Sequence, residues 1–357
     1  MNLLFLLKKN YNYDYPEYFP LKNSTGLCNS AKFVGDALEM YLCQQVNIET
    51  CVDANEIDKY VSLYKPDICF LEAIWVTPEK MLELAILHSN VKFVVRVHSN
   101  VPFLATEGVA IGWIKEYGKI PNVSVAFNNK ETSEDFALAG IKGFYLPNIY
   151  FNNGETLEKY KSEFIKLLDQ LLAVAGSLKK YEIPKYIDIG CFGAVRPMKN
   201  QLLQAMAAIA FANKHNLTMR FHVNGTRVEQ KGDSVLKNIR ALFVDVKHTL
   251  VEHQWMPHAE FIKLIKYMDI GMQLSLSESF NIVTADFVSQ KVPMIVSPDI
   301  SWMPFITKVG PFNIEKIINR MELVLKYRDV FTTVSSFSLK SYNSHAVKTW
   351  SEYLNNN

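Results

Sequence analysis

Along this chain, short apolar runs alternate with segments whose apolar positions recur every three to four residues. Compact apolar runs bounded by turn residues read as buried strands, and the spaced pattern reads as amphipathic helix. In the first half the runs fall at 3–7, 46–52, 66–71, 91–97, 123–127 and 143–146. Helical spacing occupies 30–41, 56–64, 78–88 and 131–138 between most of them. A long amphipathic stretch follows at 155–175, closed by Gly176 and a polar segment up to Pro184. The second half repeats the scheme, with strands predicted at 186–191, 218–223, 249–252, 269–274 and 293–297. Its helices are predicted at 200–214, 234–246, 259–267, 282–289 and 314–327, and after a polar stretch a last one at 344–354. Strand–helix alternation of this kind argues for parallel sheets of βαβ units. Two doubly wound, Rossmann-like α/β domains facing a central cleft fit the whole pattern. The expected organisation is an N-terminal domain over 1–154, a connecting helix and linker over 155–184, a C-terminal domain over 185–328, and a helical tail over 329–357 that packs back on the first domain.

Length and composition agree with that division. At 357 residues the chain exceeds one ordinary core, and its 49% apolar content is that of a globular protein. No apolar stretch is long enough to span a bilayer. The N-terminus is apolar first and basic afterwards, the reverse of a secretion signal. The five dispersed cysteines lack any Cys-x-x-Cys pair, which predicts reduced thiols and a cytoplasmic setting. A net charge of +2 neither calls for nor excludes a nucleic-acid partner.

Candidate chemistry gathers at predicted strand ends. The stretch Ser277-Glu278-Ser279-Phe280-Asn281-Ile282-Val283-Thr284-Ala285-Asp286 follows an apolar run and carries two acids eight residues apart, about two helical turns. Glu278 sits in the turn and Asp286 lies further on. The helix that follows offers unpaired N–H groups suited to phosphate. Upstream, Gly190-Cys-Phe-Gly193-Ala-Val-Arg196-Pro-Met-Lys199-Asn200 places a glycine turn before two cations, which either clamp phosphate oxygens or form a solvated loop. Asn224-Gly225-Thr226 and His253-Gln-Trp-Met256-Pro-His258 end two further strands. His253 and His258 lack the companions of a metal site. In the first half His98 ends a buried strand, as a cleft-facing group or a satisfied structural histidine. Thr25-Gly26, Asn128-Asn129-Lys130 and Leu146-Pro-Asn148 read as loop edges or plain turn chemistry.

In order and spacing, the Gly193-to-Asn200 loop and the Glu278–Asp286 segment about eighty residues later resemble the family-4 group of GT-B glycosyltransferases. Those enzymes carry a Gly-Arg-x4-Lys loop and a Glu-x7-Glu motif of the form Ser-x-x-Glu-Ser-Phe-Gly. The resemblance covers roughly 186–300 and is only architectural before that. It implies a retaining transfer from a nucleotide-diphosphate sugar, UDP favoured, with Glu278 and His98 as catalytic groups. It further implies that Arg196 and Lys199 hold the diphosphate beside Gly193, and that Asn224, Gly225 and Met256 line the nucleotide. Ser279, Phe280, Asn281 and Ile282 would meet phosphate or sugar, and Asp286 the ribose. Three positions depart from the motif: Ala194 replaces its Arg, Asp286 its second Glu, and Asn281 its Gly, the last expected to narrow the sugar pocket.

No Asp-x-Asp motif sits at a strand end, so the expectation is metal-independent transfer with no cofactor beyond the sugar nucleotide. The acceptor is expected to be a glycan or lipid-linked sugar, or a hydroxymethylated base in DNA, since some viral DNA glycosyltransferases share the two-domain plan. Rival readings are a GT-B-like epimerase or phosphorylase and a non-catalytic sugar-nucleotide-binding subunit.

Overall fold

The structure is a computed structural model that describes residues 1–9, 25–151 and 185–357. The helix expected at 155–175 and the linker to 184 lie outside the described residues. The chain divides into two compact units: Met1–Glu155 together with Asn343–Asn357, and Thr156–Tyr342.

The first unit holds the strands β1 (Asn2–Lys8), β2 (Gln45–Cys51), β3 (Ile68–Glu72), β4 (Lys92–Val97), β5 (Val123–Phe127) and β6 (Phe144–Tyr145). They form one parallel sheet in the order β2-β1-β3-β4-β5-β6. Leu3 to Leu7 of β1 have no exposed surface. Leu4 and Leu6 pack with Ile57 and Phe93, while Leu7 packs with Cys28 and Ala31 of the helix α1 (Gly26–Leu42). Both faces of the sheet are therefore covered, which is why its strands read as unbroken apolar runs.

The helices α2 (Glu56–Tyr64), α3 (Pro78–Leu87) and α6 (Lys130–Leu138) lie close to their predicted bounds. Side-chain caps fix several starts. Thr25 accepts from Cys28 N at 3.3 Å, Thr77 from Lys80 N at 3.3 Å, and Asn129 from Thr132 N at 2.9 Å. Thr25 and Asn129 thus serve as N-caps. Two helices have no counterpart in the sequence reading, α4 (Val101–Leu104) and α5 (Ala110–Tyr117). Pro102, Gly108 and Gly112 interrupt the periodicity there and suggest a loop.

The second unit has the strands β7 (Tyr186–Gly190), β8 (Thr218–Asn224), β9 (Thr249–His253), β10 (Ile270–Gln273) and β11 (Met294–Val296). Their parallel order is β11-β10-β7-β8-β9. The order therefore reverses between β7 and β10. Between them pack α7 (Gln201–Lys214), α8 (Gly232–Leu242), α9 (His258–Ile265), α10 (Ile282–Ser289) and α11 (Ile314–Lys326).

The tail differs from expectation. Instead of a polar stretch and a short helix, α12 runs unbroken from Arg328 to Asn355. Phe331, Ser335, Leu339, Ala346, Trp350 and Leu354 are buried along one face at spacings of four and seven. Ser335 within that stripe, and the Ser and Thr residues around it, hide the period from a hydropathy reading. In the first unit the helix inserts Trp350 edge-on against Phe70 at 5.3 Å, and Tyr353 stacks on Phe144 at 5.0 Å. Trp350 Nε1 donates to the Pro147 carbonyl at 2.8 Å.

Trp350→Ala removes a wholly buried indole together with that hydrogen bond. The expected loss is about 3–5 kcal/mol of unfolding free energy, read from the denaturant midpoint.

Candidate functional site

The loops that follow β7 and β10 flank the place where the strand order reverses, and open α/β sheets bind ligands at that point. Gly190 and Gly271 pair there across the two strands. A Cβ on either would come within 2.8 Å of Phe287, so α10 packs directly on the bare backbone of the switch. After β7 the chain turns at Gly193, whose φ of 113° suits glycine alone. Its N–H donates to Asn224 Oδ1 at 2.8 Å, which ties the loop to the end of β8.

Buried amide side chains then stitch the two loops together. Gln204 Nε2 donates to the Lys199 carbonyl at 2.8 Å, and its Oε1 accepts from Leu274 N at 3.0 Å. Asn200 Nδ2 donates to the Leu274 and Pro311 carbonyls at 3.1 and 3.0 Å. Gln201 Nε2 donates to the Ala194 carbonyl at 3.1 Å, and Gln273 Nε2 to that of Phe192 at 2.8 Å. Leu276 N donates to the Met198 carbonyl at 2.8 Å. The sequence reading missed these glutamines, whose partners lie in the loops after β7 and β10.

This scaffold brings Lys199 and Glu278 together as an ion pair with little exposed surface. Burial depresses the Lys199 ammonium; Glu278 opposes that shift, and the nearby Arg196 and Arg227 add to it. Arg196 approaches Glu229 at 3.8 Å, and Arg227 Nε donates to the same carboxylate at 2.8 Å. Arg227 also lies over the Trp255 ring at 4.3 Å. Three cations, Arg196, Lys199 and Arg227, therefore border the glycine turn, and Arg227 is a member the sequence reading overlooked. A parallel bridge between Val195 and Val228 brings it there.

The Glu278–Asp286 spacing is not two turns of one helix. Residues 278–281 are non-helical, and α10 begins at Ile282 after Asn281 with φ 63°. Asn tolerates this left-handed position better than other side-chain-bearing residues, which explains how it stands where the motif has Gly. Asn281 does not project as a narrowing side chain. Its Oδ1 accepts from Thr284 N at 2.8 Å and its Nδ2 donates to Gln273 Oε1 at 2.9 Å, so it caps α10 from within the protein. The amides of Asn281, Ile282 and Val283 make no hydrogen bond among the described residues. Phe280 is buried against Trp302 and Tyr342, and Trp302 Nε1 donates to its carbonyl at 2.6 Å. Its side chain belongs to the core. Ser279 is partly buried beside it.

Asp286 is 2% exposed and accepts from His258 Nε2 at 2.7 Å. Burial would lower the His258 imidazole, but the Asp286 carboxylate outweighs it and raises the group above its ordinary value. His253 belongs to a separate chain of bonds. Its Nε2 meets His222 Nδ1 at 2.8 Å, and His222 Nε2 meets Asp188 Oδ1 at 2.8 Å. Burial lowers both imidazoles. Burial would also raise Asp188, yet Arg220 and His222 hold that carboxyl below its usual range. With an acceptor-only carboxylate at one end and neutral rings, His222 donates through Nε2 and His253 through Nε2. Gly225 N donates to the His253 carbonyl at 2.9 Å, and Met256 is half-buried in the segment beyond. Among the described residues no group of three His, Cys, Asp or Glu side chains comes together to hold a metal. Among those residues, too, no helix is long and apolar enough to cross a membrane.

In the first unit His98 lies at the carboxyl end of the sheet, just beyond β4, within a buried polar network. His98 Nε2 donates to Glu72 Oε2 at 2.5 Å, and Asn128 Nδ2 faces its Nδ1 at 3.3 Å. Arg96 holds the other Glu72 oxygen at 2.7 Å and donates to Asn148 Oδ1 at 3.0 Å. Burial would raise Glu72, but Arg96 and His98 together lower it. Burial lowers His98 against the pull of Glu72. Asn128 and Asn148, read from sequence as loop edges, are thus parts of this network.

No protein-family model matches the chain, and no curated protein sequence matches it. Solved structures do. The N-terminal domain of Candida albicans trehalose-6-phosphate phosphatase aligns with a TM-score of 0.61 at 12% identity, over 98% of this chain and 95% of that one. A structure described as trehalose-6-phosphate from E. coli bound with UDP-2-fluoro glucose gives 0.57 at 12% identity over 99% of each chain. A UDP-forming trehalose-phosphate synthase from Burkholderia xenovorans gives 0.56 at 11% identity over 85% and 78%. The chain has the α/β fold of these GT-B proteins, with a parallel sheet in each unit.

Two outcomes follow from the caps and the depressed groups. Asn281→Gly should change stability by only a few tenths of a kcal/mol, while Asn281→Ala should cost about 1–2 kcal/mol in chemical denaturation. Glu72, His98 and His222 all titrate lower in the folded protein than unfolded. Their contribution is present above the unfolded values and is lost as pH falls through the folded ones. Thermal melts between roughly pH 8 and pH 5 should therefore show stability falling on the acid side through His98 and His222, with a shallower fall in His222→Asn, while the Glu72 contribution is lost only below its unfolded value of 4.5.

Proposed function

We propose that the protein is a glycosyltransferase that takes a sugar from a nucleotide diphosphate, with UDP favoured, and that its second unit binds the donor. The observation that carries this reading is the meeting of Lys199 and Glu278, 79 residues apart, at the reversal of the strand order. A donor diphosphate would compete for the Lys199 ammonium now held by Glu278, with Arg196 and Arg227 close enough to share its charge. Glu278 would then turn to hydroxyls of the donor sugar. As the bond from the anomeric carbon to the diphosphate breaks and the acceptor oxygen attaches, negative charge grows on the leaving group. Fixed cations and the first amides of α10 stabilise that charge. Nothing in this account requires a metal. Retention of configuration is proposed because the resembled family retains.

His98 enters only as a member of the Glu72 network, since both its ring nitrogens face partners. For the acceptor, the names of the structural neighbours support a hydroxyl of a sugar or sugar phosphate over a base in DNA.

Isothermal titration with UDP, GDP and UDP-glucose tests the donor assignment. UDP and its sugar should bind, and Lys199→Ala should weaken binding by tenfold or more, the loss of a charge-assisted contact. Unchanged binding in that variant, or none by the wild type, would sink the assignment. Mass spectrometry of products with hexose phosphates in one arm and hydroxymethylated DNA in the other then identifies the acceptor.

A further inference from the structure

We infer that Trp302 is a positioning residue of the donor site. By holding the Phe280 carbonyl it turns the peptide between Phe280 and Asn281, so that the Asn281 N–H is presented to an oxygen of the sugar diphosphate. This role rests on the donor reading above and names the group that orients the backbone of that site.

The turn from Glu278 to Asn281 belongs to neither β10 nor α10, so no ladder or helical pattern dictates its backbone. Side chains from one short segment after β11 hold it instead. Glu278 N donates to Asp299 Oδ2 at 2.9 Å, and Trp302 Nε1 donates to the Phe280 carbonyl at 2.6 Å. The indole is itself buried and fixed. Its ring lies 5.6 Å from that of Phe280 and 6.4 Å from that of Tyr342 on α12, and its own carbonyl accepts from Ser338 Oγ of the same helix. In a trans peptide the C=O and the N–H point in opposite directions. With the Phe280 oxygen turned towards a buried indole, the Asn281 N–H is turned away from it, and it meets no partner among the described residues. The peptide has little room to rotate. Asn281 sits at φ 63° in the small left-handed region, and its side chain is bonded to Thr284 N and Gln273 Oε1. A donor aimed in advance costs no reorganisation when charge arrives, which is how fixed amides stabilise an anionic oxygen. Glu278, whose carboxylate pairs with Lys199, stands in the same turn.

Calorimetry with UDP and UDP-glucose on the full chain, with thermal melts alongside, compares wild type with two variants. Trp302→Phe keeps an aromatic ring and deletes the N–H. Tyr342→Leu removes a ring from the same cluster and keeps the bond. Trp302→Phe should weaken binding about five- to tenfold, while Tyr342→Leu stays within about twofold of wild type. A loss shared by both ligands assigns the oxygen to the diphosphate, and a loss for UDP-glucose alone assigns it to the sugar. A folded Trp302→Phe protein with wild-type affinity for both ligands overturns the role and leaves the donor reading standing. An equal loss in Tyr342→Leu does the same, because ring packing and not the N–H would then matter. Binding of neither ligand by wild type removes the donor reading and this role with it. Should Trp302→Phe fail to fold, the Asn281 amide signal of wild type decides: a downfield shift with UDP or UDP-glucose supports the role, and no shift with either overturns it.

Discussion

Where β10 comes to lie beside β7, two strands eighty residues apart share only two register pairs, at Ile270 with Ile189 and Gly271 with Gly190. Beyond those pairs the backbone of each loop must find its hydrogen bonds elsewhere, because buried N–H and C=O groups left unpaired are costly. The chain meets that demand with amide side chains, which can donate and accept at once. Gln204 and Gln201 on the first turn of α7, Asn200 before it, Gln273 at the end of β10 and Asn281 before α10 each bridge two backbone or amide partners. The positions of Lys199 and Glu278 are consequences of this stitching. Their ion pair closes across two loops already fixed by neutral bonds.

That order of dependence separates the pair from a stabilising salt bridge. Taking an ammonium and a carboxylate out of water costs several kcal/mol per ion, and apolar residues of like volume often serve stability as well or better. Lys199 pays that desolvation while two guanidiniums stand nearby, an arrangement that opposes its charge. Three cations meet two carboxylates here, Glu229 and Glu278, an arrangement in keeping with the donor reading proposed above. The Glu72–Arg96–His98 network of the first unit is different in kind. There one carboxylate on β3 is shared by two donors two residues apart at the end of the neighbouring β4, Asn128 and Asn148 lie at the periphery, and Arg96 lies 5.1 Å from the Trp350 ring. It braces the carboxyl ends of β3 and β4.

Much of this was legible in the residues, for identifiable reasons. Strands of a parallel sheet covered on both faces are continuous apolar runs, so their positions could be read directly, to within a residue or two. Lys199 and Glu278 could be assigned to one site because each lies in a local motif of recognisable order, though not as a direct ion pair. The bridges from Asn200 and Gln204 to Leu274, the Asp188–His222–His253 chain and Arg227 could not, since each depends on segments distant in sequence coming side by side. The α12 stripe was hidden by Ser335, and α5 by its glycine. Asn281 departs from the expected narrowing of the sugar pocket for a different reason: from its left-handed backbone the amide bonds Thr284 N and Gln273 within the protein.

The two departures at Asn281 and Asp286 share a further property. Each comes with a partner on a separate element, Gln273 for Asn281 and His258 for Asp286. A glycine at 281 would lack the amide that donates to Gln273, and an apolar residue at 286 would lack the carboxylate that His258 meets at 2.7 Å. Contacting residues couple energetically, so changing one member of either pair should be felt through the other, and neither departure is interpretable alone. What reads along the sequence as two isolated positions is, in the folded chain, two side-chain pairs that each span two elements.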